Sequence, residues 1–142
     1  ADAQKRIQQL RERLIRVVRV QEGDKPAEDP QELRAELART LDEYNHLVKA
    51  INRTNAATPF SPGITLTDAL ANREVLGMER DILYSMVQAA TEQRFMYSRT
   101  EIRYVTTFSI HEYQKRIDDL AKLFREMDSA IQALNWQVDL IE

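Results

Sequence analysis

"SIHEYQKRIDDLAKLFREMDSAIQALNWQVDLIE", residues 109–142, decides the fold. Its apolar residues are Ile110, Tyr113, Ile117, Leu120, Phe124, Met127, Ile131, Leu134, Val138 and Ile141. Their spacing alternates three and four, which marks a helix with a narrow heptad seam rather than a broad globular face. Ser109 followed by Glu112 supplies the start of a capping box. A helix over 109–141 is roughly 50 Å long at about 1.5 Å per residue. A rod of that length needs cover along one side, so the pattern predicts a coiled coil or an oligomer.

The same rhythm opens the chain, at Ala3, Ile7, Leu10, Leu14 and Val17, and predicts a helix over 1–21. Gly23 ends it, and Asp29-Pro30-Gln31-Glu32 restarts the chain with an N-cap aspartate, a first-turn proline and an early acid. A second helix follows over 30–57, with Leu33, Leu37, Leu41, Tyr44, Val48 and Ile51 inward. Residues 1–20 hold six basic and two acidic side chains, whereas residues 21–43 hold three basic and eight acidic ones. That contrast predicts an antiparallel hairpin with Arg13, Arg16 and Arg19 beside Glu32 and Glu36. Such exposed pairs are individually weak and set register more than stability.

A third helix is expected over 66–92, with Leu70, Leu76, Leu83, Met86 and Ala90 inward. Val75, Met78 and Ile82 widen its apolar face, as in a helix packed on two sides. Residues 102–108, "IRYVTTF", are β-branched and aromatic and predict a short strand. A lone strand is unstable, so "GITL" at 63–66 or another subunit is the expected partner. The expected architecture is all-α: one helical domain over 1–142, built from an antiparallel hairpin, a third helix and a long heptad C-terminal helix. A β excursion near 102–108 interrupts it.

Composition removes several classes of function. The chain has 142 residues, three glycines and four prolines, and no glycine-rich stretch able to cradle phosphates. It has no cysteine, hence no disulfide framework and no thiolate metal site. A net charge of -3 gives no general attraction to nucleic acid. No apolar run reaches membrane-spanning length and the N-terminus is not signal-like, so a cytoplasmic protein without a membrane partner is expected. The two histidines, His46 and His111, lack ligand partners beyond one Glu-x-x-His pair, Glu43 to His46. A di-iron bundle needs that pair on two helices, so neither a metal nor another cofactor is expected. No serine sits in a nucleophile elbow, and the chain does not read as an enzyme.

The polar knot in "INRTNAATPFSPGITLTDAL", residues 51–70, admits two readings. Asn55 continues the seam of helix two, where a buried Asn fixes register and oligomer state. Pro59 stops the helix, and Ser61-Pro62-Gly63-Ile64 forms a type II turn. In the other reading, Asn52, Arg53 and Asn55 line one polar pocket with Asp68, Arg73, Tyr97, Arg99 and Glu101, able to hold a small molecule or phosphate. Arg94, Arg99 and Arg103 interleave with Phe95, Tyr97 and Tyr104, a pattern that stacks bases or binds phosphates. Glu92 and Glu101 dilute it, and a solvated strand edge is the expectation. Trp136 falls opposite the seam of the last helix, near Ala133 and Leu140. It is covered either by a second helix or subunit or by the first hairpin.

"QKRIQQLRERL", "VQEGDKPAEDPQEL", "INRTNAAT", "LTDALANRE", "YSRTEIRYV" and "LNWQVDL" run in one order along nearly the whole chain. With these segments the sequence resembles a family of bacterial helical proteins, frequent in actinobacteria and often labelled septicolysin. The resemblance implies a helical fold, and the label implies a cytolysin. From the residues themselves, a self-associating helical module is expected, a homo-oligomer joined through heptad seams and the Trp136 face. A small-ligand or phosphate-binding protein is the alternative.

Overall fold

The computed structural model describes residues 1–95 and 103–142. Four helices carry the described residues: α1 (Asp2–Arg16), α2 (Pro30–Ala57), α3 (Leu66–Phe95) and α4 (Ile110–Asn135). Two short strands, β1 (Pro59–Ser61) and β2 (Ile64–Thr65), pair antiparallel between α2 and α3. The chain divides into two compact units, each taken by itself below. One is Ala1–Thr54 with Leu140–Glu142; the other is Asn55–Asp139.

In the first unit α1 lays its inward seam on α2. Ala3, Ile7, Leu10, Leu14 and Val17 are its buried or half-buried positions, and Leu10, Val17 and Leu33 form the core with Leu14 and Leu37 packed around them. The hairpin is antiparallel, as Gln4 bonds Tyr44, Arg6 bonds Glu36 and Arg13 bonds Glu28. The register differs from the one expected: Arg13 takes Glu28 in a forked pair, and Glu36 goes to Arg6. α1 also stops at Arg16 rather than 21. The N–H groups of Val17 and Val18 reach back only three residues, to Leu14 and Ile15, and two successive β-branched residues disfavour a further turn. Gly23, at φ 91, then occupies a left-handed position in the turn closed by Asp24 N–H on the Gln21 carbonyl. Asp29 restarts the helix as expected, its Oδ1 accepting from Gln31 N–H at 2.9 Å.

α2 buries the expected stripe in part: Leu33 is buried and Leu37, Tyr44 and Val48 are half-buried. Leu41 and Ile51 are 45% and 47% exposed, while Thr40, Ala50 and Thr54 are buried. The threonines tolerate this because each hydroxyl donates to a carbonyl four residues back, Thr40 to Glu36 and Thr54 to Ala50. A buried hydroxyl so paired loses little relative to water. Thr54 Oγ1 also accepts from the Ile141 N–H at 2.8 Å. In a helix running to 141 that N–H would be committed to residue 137. α4 accordingly ends at Asn135, short of the expected 141.

In the second unit α3 and α4 pack antiparallel along their lengths. Arg73 meets Asp128, Gly77 meets Phe124, and Glu79 meets Arg116. The core joins Leu66, Ala69 and Ile131, flanked by Phe60, Leu70, Met127 and Leu134. On α4 the expected seam from Ile110 to Leu134 is buried or half-buried throughout, with Leu120 and Ile131 at 0% exposure. Complete burial of such a side chain stabilises by about 1.5–3 kcal/mol relative to leaving it exposed. Ser109 caps α4, its Oγ accepting from Glu112 N–H, and Phe108 stacks on Tyr113 at 4.2 Å. These two rings hold the positions of a hydrophobic staple.

The small sheet lies elsewhere than expected. Residues 103–108 form no strand, and Tyr104 and Val105 stand 66% and 80% exposed. β propensity is realised only in a ladder, and among the described residues Ile64–Thr65 pairs with Pro59–Ser61 and not with 103–108. Gly63, at φ 74, turns the hairpin, the left-handed position that a type II turn reserves for glycine.

Candidate functional site

The residues that the sequence grouped as a polar pocket have separate places in the fold. Asn52 and Arg53 are exposed on α2 in the first unit, and Asn55 is half-buried at the start of the second. Asp68 belongs to the start of α3. Its Oδ2 accepts from the Thr65 N–H at 2.9 Å and from the Thr65 hydroxyl at 3.0 Å, while Asp68 N–H donates to Thr65 Oγ1. That is a reciprocal capping box, and the hydrogen bonds from Thr65, backbone first, hold the Asp68 carboxyl below its ordinary value. Tyr97, Arg99 and Glu101 lie outside the described residues.

Arg73 lies in a solvent-open groove of about 760 Å³ along α3 and α4, together with Leu70, Gly77, Met78, Arg80, Phe124 and Asp128. The groove owes its shape to Gly77. A Cβ there would sit 3.3 Å from the Phe124 ring, so glycine lets the aromatic ring close onto the α3 backbone. The cost in helix propensity, about 1 kcal/mol, is offset by that approach. Arg80 lies over the same ring at 5.1 Å, a cation–π distance, and pairs with Asp81. Arg73 donates to Asp128 at 2.6 Å. Both guanidinium groups therefore already have carboxylate partners. Among the described residues, no group of three His, Cys, Asp or Glu side chains is arranged to hold a metal. The groove joins α3 to α4 through charge, ring and glycine, and it presents no nucleophile paired with a base.

From the edge of this groove outward, α3 carries the feature that the sequence reading placed inside. Val75, Met78 and Ile82 are 61%, 55% and 61% exposed. They continue into a shallow apolar surface at Ser85, Met86 and Ala89. The sequence contained a usable signal. The spacing 75, 78, 82 is a second three-four stripe, out of phase with the Ala69, Leu76, Leu83 and Val87 side. Trp136 follows the last residue of α4 and is 90% exposed, and Leu140 is 42% exposed. Among the described residues, no helix is long and apolar enough to cross a membrane.

Comparison with known proteins agrees with this architecture. No curated protein matches the chain. It is similar to a solved structure, described as the crystal structure of a functionally unknown conserved protein from Corynebacterium diphtheriae. The two share 44% sequence identity with a TM-score of 0.92, over 99% of this chain and 92% of the other. Neither that description nor the matching family model carries the septicolysin label. The family model spans residues 1–140, and the chain belongs to this family of unknown function, DUF6847.

Proposed function

We propose that the protein is a structural or interaction module that associates with a second copy of itself, and that the outer stripe of α3 carries the contact. One observation supports the reading above all. Val75, Met78 and Ile82 repeat at three-four spacing, each more than half exposed, which is the form in which one helix offers itself to another. The inward seams of α1 and α4 are occupied inside their own units, which leaves this stripe among the exposed apolar surfaces, with Leu41 and Ile51 on α2. Trp136 adds a large exposed aromatic of the kind enriched at interfaces.

Light scattering across a concentration series tests the reading. The chain is expected to form a defined oligomer, and Met78→Glu with Ile82→Glu is expected to return it to a monomer. A parent chain that stays monomeric throughout overturns the proposal. The small-ligand alternative, drawn on Asn52, Asn55, Arg73 and Arg99, has less support because Asp128 already engages Arg73. A melting-temperature rise with inorganic phosphate that Arg73→Ala removes would reverse that preference.

A further inference from the structure

The far end of α1 is opposite in charge to the α3 stripe. Ile15, on the outer side of α1, is 58% exposed, and Val18, just past the helix, is 74% exposed. Arg11, Arg16 and Arg19 surround them. Among the described residues, Arg11 and Arg19 form no ion pair, and Arg16 reaches Glu12 at 3.9 Å across open surface. The α3 stripe is framed instead by acids, with Glu74 and Asp81 along one edge and Glu79 along the other. Asp81 is 72% exposed beside Arg80, and Glu79 is bonded by Arg116. Glu74 is exposed and has no ion pair among the described residues. Both surfaces thus have an apolar centre; three arginines outnumber Glu12 around the first, three acids outnumber Arg80 and Arg116, which pair two of them, around the second, and the excess charges are opposite in sign.

From this complementarity we propose that the partner surface for the α3 stripe is the Arg11–Val18 end of α1 on a second copy. The inference rests on the self-association proposed above and specifies its geometry. Ile15 and Val18 cover Met78 and Ile82, while Arg16 and Arg19 face Glu74 and Asp81. Opposite rims steer encounter and fix register.

Charge reversal tests it with the full chain. One variant carries Glu74→Lys and Asp81→Lys; the other carries Arg16→Glu and Arg19→Glu. Circular dichroism checks that each is folded, and Arg16→Gln with Arg19→Gln replaces the second if it is not. Each alone sets like charges against like, so its self-association constant is expected to fall roughly tenfold or more. Mixing the two charge-reversed variants sets opposite charges together again, and association is expected to return as a mixed species. An oligomer indifferent to both reversals, or a mixture no tighter than its components, overturns this geometry and leaves self-association standing. A monomeric parent chain overturns both.

Discussion

The α1–α2 hairpin buries Leu10, Val17 and Leu33 at one end and completes its contact with side-chain pairs, Arg6 to Glu36 and Arg13 to Glu28. The α3–α4 pair buries Leu66, Ala69, Leu120 and Ile131 along a longer line. Inward positions follow the same three-four rhythm in α1 and α4, yet the depth of packing differs. α3 offers Ala69, Gly77 and Ala90 where α4 brings large residues, and the helices approach closely. α1 and α2 meet through leucines on both sides, which hold the helices apart and leave the remainder to charge. Rhythm therefore decides which residues face inward, and the size of the opposing residue decides how close two helices come.

Truncation gives the strongest way to break this comparison. Leu120→Ala, at a fully buried position, is expected to cost about 3–5 kcal/mol in urea unfolding. Leu10→Ala is expected to cost about 2 kcal/mol, the low end for such changes, because a thin core can collapse around the gap. Equal costs would mean that the two pairs are packed alike. Overpacking comes next. Gly77→Leu drives a side chain into Phe124 and is expected to cost about 1–3 kcal/mol. Gly77→Ala is expected to lie near neutral, since the helix-propensity gain of about 1 kcal/mol offsets a 3.3 Å contact. A harmless Gly77→Leu would show that glycine is not what brings α4 close.

Acid has the smallest expected effect and separates the pairs by chemistry. Glu28, bonded by Arg13, and Asp68, bonded by Thr65, both have carboxyls held below their ordinary values of 4.5 and 3.8. Their contributions are full above those values and are lost as pH falls through the lower folded ones. Carboxyl titration by NMR is expected to find both midpoints depressed. Arg13→Gln should raise the Glu28 midpoint and leave Asp68 unmoved, whereas Thr65→Ala should leave Glu28 unmoved and raise Asp68 only part of the way, because the backbone N–H of residue 65, the larger cause, remains.

Much of this fold is legible in the sequence, for reasons that vary along the chain. The α4 seam reads correctly from Ile110 to Leu134 because large apolar residues fall at every inward position. Ser109, Asp29 and Gly63 read correctly because cap and turn chemistry is local. On α2, counting apolar residues selects Leu41 and Ile51, whereas Thr40, Ala50 and Thr54 are buried. Only the back-bonded hydroxyls explain the shift, and such bonds leave no mark in hydropathy. Residues 103–108 of "IRYVTTF" fail for another reason, since strand preference is realised only in a ladder and the described sheet pairs β1 with β2 alone; Ile102 lies outside the described residues. For the candidate site, the sequence names Asp68 and Arg73 but not their duties as cap and ion pair, because those depend on Thr65 geometry and on Asp128. It also places Val75, Met78 and Ile82 inside, because hydropathy marks a stripe as apolar without saying what covers it.

The hydrogen bond from Ile141 to the Thr54 hydroxyl joins positions 87 residues apart. The unit formed by Ala1–Thr54 and Leu140–Glu142 is therefore discontinuous in the chain. During synthesis the α1–α2 hairpin emerges first and can pair at once, but its last hydrogen bond must wait until residue 141 has left the ribosome. Local contacts form fast and distant ones late, so a chain cut at 139 is expected to form the hairpin without the Ile141 to Thr54 bond.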